Sequence, residues 1–230
     1  LTLWALRVGD ISGDVAIGDD RVFVATDLGV LYSLNLAGPE RIAWQYRAGG
    51  AIRGTPLLTP AAVLFGANDG TVYALDRATG RLAWSYRTNS SEERANQFFS
   101  TPEAAAGKVY VGGADRYLYC LDEGTGRLRW KHRLGDWVRS KPVVIGSKVY
   151  VATLDGNVTA LADAGSSARV LWTRGVTGHQ ILADLAGSAT GLLVSTSDLF
   201  LYSLSPTSGE VQWQHSLLEA AQIDGETSQR

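Results

Sequence analysis

The chain has little with which to do covalent or redox chemistry. Its 230 residues hold one cysteine and no methionine, so no internal disulfide can form, and no Cys-x-x-Cys or Cys/His cluster offers a zinc site. The three histidines, at 132, 179 and 215, are too scattered to suggest a metal centre. No apolar run reaches the roughly 18 residues of a transmembrane helix, so no span is expected in this chain. There is neither an initiator Met nor a basic-then-apolar leader, so the chain is expected to be mature, trimmed or cut from something longer. Net charge is also scarce: 21 Lys and Arg against 23 Asp and Glu leave −2, which gives no general field for nucleic acid. Proline is rare at six residues, whereas 26 glycines supply many tight turns. With 45% apolar residues the chain can bury a large core, and one all-β domain of this length is ordinary.

Tryptophan is abundant, and its spacing organises the sequence. Ala74 to Trp84 reads ALDRATGRLAW, and Cys120 to Trp130 repeats it as CLDEGTGRLRW. Looser copies end at Trp44, Trp172 and Trp213, and a truncated one at Trp4. The six tryptophans are 40, 40, 46, 42 and 41 residues apart. A period near forty residues, rich in short alternating apolar runs, predicts a β-propeller with one four-stranded blade per repeat. In the clearest repeat, strand A is expected at Thr55–Thr59, B at Ala62–Gly66, C at Thr71–Leu75 and D at Arg81–Tyr86. Asp76 and Thr79-Gly80 form the C–D hairpin, the oxygens accepting turn amides and Gly taking the positive φ. The tryptophan rings are expected to bind neighbouring blades together, with Ser33, Ala74, Cys120, Ala160 and Ser203 leaving room for them. Residues 1–215 are assigned to the propeller, as five full blades plus an extra N-terminal strand, with part of a larger ring as the other reading of the same repeats. Residues 216–230 are assigned to a tail or the start of a further blade. The 46-residue spacing reflects six extra residues in the polar run Thr88–Asn96.

These motifs resemble the PQQ-like, quinoprotein-type propeller repeat, in which A-x-D-x-x-T-G-[KR]-x-x-W follows V-Y-V-G-x-x-D-G-x-L-Y. Val109-Tyr-Val-Gly112 with Tyr117-Leu-Tyr119, and Val149-Tyr-Val151 with Asp155-Gly156, are similar to the upstream half. The resemblance covers nearly the whole chain and implies one of two branches. One is the PQQ-dependent dehydrogenases, which use adjacent cysteines and a Ca²⁺ site with an Asp base. The other is non-enzymatic and is typified by BamB of the outer-membrane β-barrel assembly machine. Cys120 stands alone, where sister repeats hold Ala or Ser, so PQQ and Ca²⁺ are not expected and neither is catalysis. The resemblance also implies an extracytoplasmic location, in the periplasm or at the cell surface. The alternatives are a ligand-sensing propeller attached to a signalling enzyme, or a fragment of a PQQ-dependent dehydrogenase.

The remaining polar candidates have local explanations. Asp69, Asp115, Asp155 and Asp198 share one B–C turn position, where Asp serves the turn itself. His132 and His215 fall in the strand D slot of Tyr46 and Tyr86, so they are expected to pack there. The D–A loops are different. They read Ala51-Ile-Arg-Gly-Thr, Gln97-Phe-Phe-Ser-Thr and Trp137-Val-Arg-Ser-Lys, each before a proline. Trp137 alone lies outside the tryptophan register, and Arg53 and Arg139 occupy one position that Phe99 takes between them. Trp and Arg are over-represented among binding hot spots. The expected function is therefore a non-catalytic scaffold binding protein partners, outer-membrane assembly components or a covalently linked signalling domain, through Arg53, Phe98, Phe99, Trp137, Arg139 and His179. A small anionic ligand held by the two arginines is the competing reading.

Overall fold

The computed structural model describes residues 7–37, 39–88, 97–176 and 178–218. Five antiparallel sheets of four strands follow one another along the chain, each a meander of nearest neighbours. Blade 1 is β1 (Ala16–Gly18), β2 (Arg21–Ala25), β3 (Val30–Asn35) and β4 (Ile42–Arg47). Blade 2 is β5 (Leu57–Leu58), β6 (Ala62–Gly66), β7 (Thr71–Asp76) and β8 (Leu82–Arg87). Blade 3 is β9 (Glu103–Ala105), β10 (Lys108–Gly112), β11 (Tyr117–Asp122) and β12 (Leu128–Arg133). Blade 4 is β13 (Val143–Ile145), β14 (Lys148–Ala152), β15 (Asn157–Asp163) and β16 (Ala168–Gly175). Blade 5 is β17 (Ala186–Gly187), β18 (Leu192–Ser195), β19 (Phe200–Leu204) and β20 (Val211–Ser216). In the clearest repeat the middle strands match the expected ranges closely, whereas the first strand is shorter: β5 keeps two of five expected residues. The truncated repeat at Trp4, most of the polar run 88–96 and the tail beyond 218 lie outside the described residues.

The second and third strands of blades 2, 3 and 4 are buried on both faces, as their near-continuous Val, Leu, Ala and Phe content requires. Four buried clusters join consecutive blades, from 1 and 2 through to 4 and 5. First strands approach one another across blades, β1 with β5, β9 with β13 and β13 with β17. There the Asp14 N–H donates to Thr55 Oγ1 (3.0 Å) and the Thr55 N–H to Thr101 Oγ1 (3.1 Å). Lys141 breaks this series and instead pairs Nζ with Glu103 Oε2 at 2.6 Å.

The repeat motif closes each interface. Asp76 Oδ1 accepts the Thr79 N–H (2.8 Å) and hydroxyl (2.6 Å), and Asp122 does the same for Thr125. That turn places Gly80 and Gly126 at φ +71° and +69°, and the tryptophan of the preceding blade lies flat on the glycine. A Cβ at Gly80 would stand 2.5 Å from Trp44 Cδ2, and one at Gly126 would stand 2.4 Å from Trp84 Cε3. The room for the indole thus comes mainly from the next blade's glycine, while Ser33, Ala74 and Cys120 are its direct cross-strand partners. A bulge after that pair recurs in all five blades, giving the outer strand one extra residue. The indole N–H also crosses the interface: Trp44 donates to Arg77 O (3.2 Å), Trp84 to Glu123 O (2.8 Å) and Trp172 to Pro206 O (3.3 Å). Trp213 on blade 5 is 41% exposed, and His215, expected to pack in strand D, is exposed beside it at 5.3 Å. No blade among the described residues covers them.

Blade 4 has lost the Thr-Gly turn and holds Trp130 by a carboxylate instead. Asp163, 4% exposed, accepts Trp130 Nε1 (2.9 Å), Lys108 Nζ (2.5 Å), the Tyr110 hydroxyl (2.6 Å) and the Gly165 N–H (2.7 Å). Burial alone raises its pKa, but these donors outweigh burial and hold it at about 2. A carboxylate with a depressed folded pKa contributes stability that is present above its ordinary value near 4 and lost as pH falls through about 2. Acid titration of unfolding should therefore show about 2 kcal/mol of stability disappearing between pH 4 and pH 2 on account of Asp163. In Asp163→Asn, that share of the slope should vanish. Stability near pH 7 should fall by about 3 kcal/mol, because Lys108 loses its counter-charge. An unchanged slope would contradict the assignment.

Candidate partner-binding face

Three consecutive D–A loops are each pinned between two B–C turns. The Ile52 N–H donates to Thr26 O of the blade before (3.1 Å), and Ala51 O accepts the Asn68 N–H of the blade after (2.8 Å). The next loop repeats this with Phe98 N–H to Ala67 O and Ala114 N–H to Gln97 O, and the third with Val138 N–H to Gly113 O and Leu154 N–H to Trp137 O. Between these anchors one apolar side chain from each loop plugs the interface: Ile52, Phe98, Val138 and Ile181 are all buried. In an extended backbone the following residue points the other way, which turns Arg53, Phe99, Arg139 and Leu182 outward.

The outward residues of three consecutive blades meet. The guanidinium carbon of Arg53 lies 5.7 Å from the Phe99 ring centroid and that of Arg139 lies 5.4 Å from it. Trp137 stacks on Phe99 at 6.2 Å with 19° between planes, and stays 37% exposed. Cation–π attraction at such exposed positions is worth about 0.5–1 kcal/mol per contact, enough to order the rings without burying the charges. Arg53 Nε is 3.7 Å from Asp27 Oδ1, whose other partner is the Ser12 hydroxyl (2.7 Å). Among the described residues Arg139 makes no ion pair. The face therefore presents an aromatic stack flanked by two cations, one of them without a counter-charge among the described residues.

Two expected residues lie outside this cluster. Phe98 is 1% exposed; its ring packs against Tyr119 at 5.6 Å, and a Cβ on Gly66 would meet its Cβ at 2.4 Å. It is a core residue and cannot meet a partner, because the plug position of every loop is claimed by the interface between blades. His179 lies in the following loop, 60% exposed, with Nε2 at 3.9 Å from Asp198 Oδ2.

The polar candidates serve the scaffold. Asp69 accepts the Tyr73 hydroxyl (2.6 Å), the Thr71 N–H (3.0 Å) and the Gly49 N–H (3.1 Å), while Asp115 takes the Tyr119 hydroxyl and Tyr117 N–H. Asp155 and Asp198 accept the hydroxyls of Thr153 and Thr196. Burial, with Asp163 nearby, pushes the Cys120 thiol up to about 12, which leaves it protonated and a poor nucleophile. Among the described residues no three His, Cys, Asp or Glu side chains are grouped to hold a metal ion. The feature that reading by position missed is Thr159, which replaces the tyrosine found at 32, 73, 119 and 202. Aligning the repeats on their tryptophans exposes that departure.

The fold and its recurring dock define a β-propeller of quinoprotein-type repeats. A family described as outer membrane protein assembly factor BamB matches residues 2–106 and 94–229, and the chain belongs to it. It is similar to the BamB proteins of Moranella endobia, 25% identical over 92% of this chain and 56% of that protein, and of Yersinia pestis, 25% identical over 83% and 48%. The chain thus spans about half the length of the curated relatives it matches. Among solved structures it resembles BamB from Moraxella catarrhalis, with a TM-score of 0.72, 24% identity and coverage of 89% of this chain and 61% of that one. Quinohemoprotein alcohol dehydrogenase from Comamonas testosteroni gives 0.75 at 16% identity, covering 90% and 43%. At these identities both structures show the shared fold.

The contrast between the plug and the outward residue can be measured. Phe98→Ala should lower unfolding free energy by about 3–5 kcal/mol, as expected for an aromatic removed from a packed core. Trp137→Ala should cost less than about 1 kcal/mol, since its ring is surface-exposed. Urea denaturation of the two variants gives both values, and equal losses would show that Trp137 is a structural residue.

Proposed function

We propose that this chain is a non-catalytic scaffold that binds a protein partner through the D–A loop face, in the periplasm and in the service of outer-membrane protein assembly. The observation that carries the reading is the cluster of Arg53, Phe99, Trp137 and Arg139, supplied by three loops and held by main-chain hydrogen bonds on both sides. A surface already ordered before binding loses little conformational entropy when it is covered. The aromatic stack offers contact area, and the guanidiniums offer paired N–H donors to carboxylates, so the fitting partner is an acidic segment with at least one apolar side chain. Membership of the BamB family supports the assembly role. The buried Cys120 thiol supports a chain without quinone chemistry of its own, and no PQQ or Ca²⁺ is assigned to it.

The test is affinity capture from cell-envelope extract, followed by titration of the captured partner against variants. Trp137→Ala, Arg53→Ala and Arg139→Ala should each weaken binding by about 1–3 kcal/mol with the fold intact. If all three bind as the unaltered chain does, the binding face is elsewhere. If only the arginine variants lose binding and the ligand is a small anion, the protein-partner reading is wrong.

A further inference from the structure

At two blade boundaries a pair of tyrosines fills the same place. Tyr46 of blade 1 meets Tyr73 of blade 2 with ring centroids 5.7 Å apart, and Tyr86 of blade 2 meets Tyr119 of blade 3 at 5.8 Å. The second phenol of each pair is held by its own turn carboxylate: the Tyr73 hydroxyl donates to Asp69 Oδ2 and the Tyr119 hydroxyl to Asp115 Oδ2. Between blades 3 and 4 both tyrosines are missing. His132 stands where the first would be and Thr159 where the second would be.

The substitution leaves an open cleft of ≈ 250 Å³ lined by His132, Arg133, Gly135, Asn157, Thr159 and Thr173, among others. Asp155 borders it beside Gly135, where an added Cβ would stand 3.0 Å from Asp155 Oδ2. The cleft's polar lining is partly occupied. The Thr159 and Thr173 hydroxyls bond each other at 3.1 Å, and the Thr153 hydroxyl donates to Asp155 Oδ1 at 2.6 Å. Asp155 is the counterpart of Asp69 and Asp115 but is more exposed than either. Its Oδ1 also takes the Asn157 N–H at 3.4 Å, whereas its Oδ2 receives no hydrogen bond among the described residues. The same oxygen of Asp69 accepts both a tyrosine hydroxyl and the Gly49 N–H. Burial lowers the pKa of His132, so its ring is neutral near pH 7 and suited to lie against another ring.

We propose that the cleft between blades 3 and 4 binds a phenol, its ring between His132 and Thr159 and its hydroxyl donated to Asp155 Oδ2. The interfaces between blades 1 and 2 and between blades 2 and 3 supply the template, since in each of them a phenol fills this position and bonds this carboxylate. A neutral hydroxyl on an ionised carboxylate makes a strong hydrogen bond, and the ring covers apolar area that the missing tyrosines leave open. A free phenol and the side chain of a partner's tyrosine share this chemistry. The site is separate from the arginine and aromatic cluster and does not depend on it.

Titration of the ¹⁵N-labelled chain tests this, with p-cresol and N-acetyltyrosinamide as probes. Toluene and N-acetylphenylalaninamide serve as controls without the hydroxyl. Saturable amide shifts are expected at Gly135, Asn157 and Thr159 with both phenols, at least about tenfold tighter than with the matched controls. Tighter binding of N-acetyltyrosinamide than of p-cresol assigns the site to a polypeptide tyrosine, and the reverse assigns it to a free phenol. Thr159→Tyr restores the residue of the sister repeats, so it should raise the melting temperature and abolish the shifts. Asp155→Asn should erase the preference for phenol over toluene in a folded protein, and it decides the matter even if the tyrosine variant fails to fold. Shifts that persist in Thr159→Tyr, an absence of saturable shifts at the cleft, or equal affinity for p-cresol and toluene would overturn the proposal.

Discussion

The structure depends on one contact, a tryptophan ring laid flat on a glycine of the next blade. A four-stranded blade cannot bury both of its faces alone, so each must be pressed against a neighbour at a fixed distance and angle. The contact of Trp44 with Gly80, Trp84 with Gly126 and Trp172 with Gly209 sets that distance at three interfaces. It is specific in three ways at once. The turn must take a positive φ, the position must lack a Cβ, and a backbone carbonyl must face the indole N–H. Where the turn is lost, at blade 4, Asp163 takes over the hydrogen bond and recruits a lysine and a tyrosine to offset the cost of a buried charge.

The docking tryptophans act near the C–D turns, and the candidate binding residues lie at the opposite ends of the strands. The link between them is the stack of clusters in each interface, from Trp84 through Leu64 and Val109 to Phe98. Because Phe98 plugs the interface, Phe99 must face outward, and the same alternation sets Arg53 and Arg139. The outward cluster is therefore a consequence of how the blades are spaced. A change in that spacing would separate three loops that make a single surface only together.

Much of this is legible in the sequence. The fold class, the five blades and the C–D turn chemistry follow from a motif whose residues act within a few positions of one another. The equivalence of Arg53, Phe99 and Arg139 is also readable, because repeat register is a one-dimensional property. Harder to read is anything that depends on which side of an interface a side chain takes. Phe98 and Phe99 are adjacent and identical in type, yet one is core and the other surface, and only the alternation of the loop backbone separates them. Likewise Asp163 looks like an ordinary turn residue until the structure brings Lys108, Tyr110 and Trp130, more than thirty positions away, onto its oxygens. The bulge in every outer strand leaves no compositional trace.

The tryptophan–glycine contact, rather than glycine's backbone freedom alone, holds the blades. Two glycines separate these effects, because Gly126 (φ +69°) lies against Trp84 while Gly107 (φ +72°) faces open space. Chemical denaturation of Gly126→Ala and Gly107→Ala compares them directly. Both variants bear the left-handed backbone cost of about 1–2 kcal/mol, and only Gly126→Ala should lose about 1–3 kcal/mol more as the indole is displaced. Equal losses in the two variants would contradict the claim that this dock holds the propeller together.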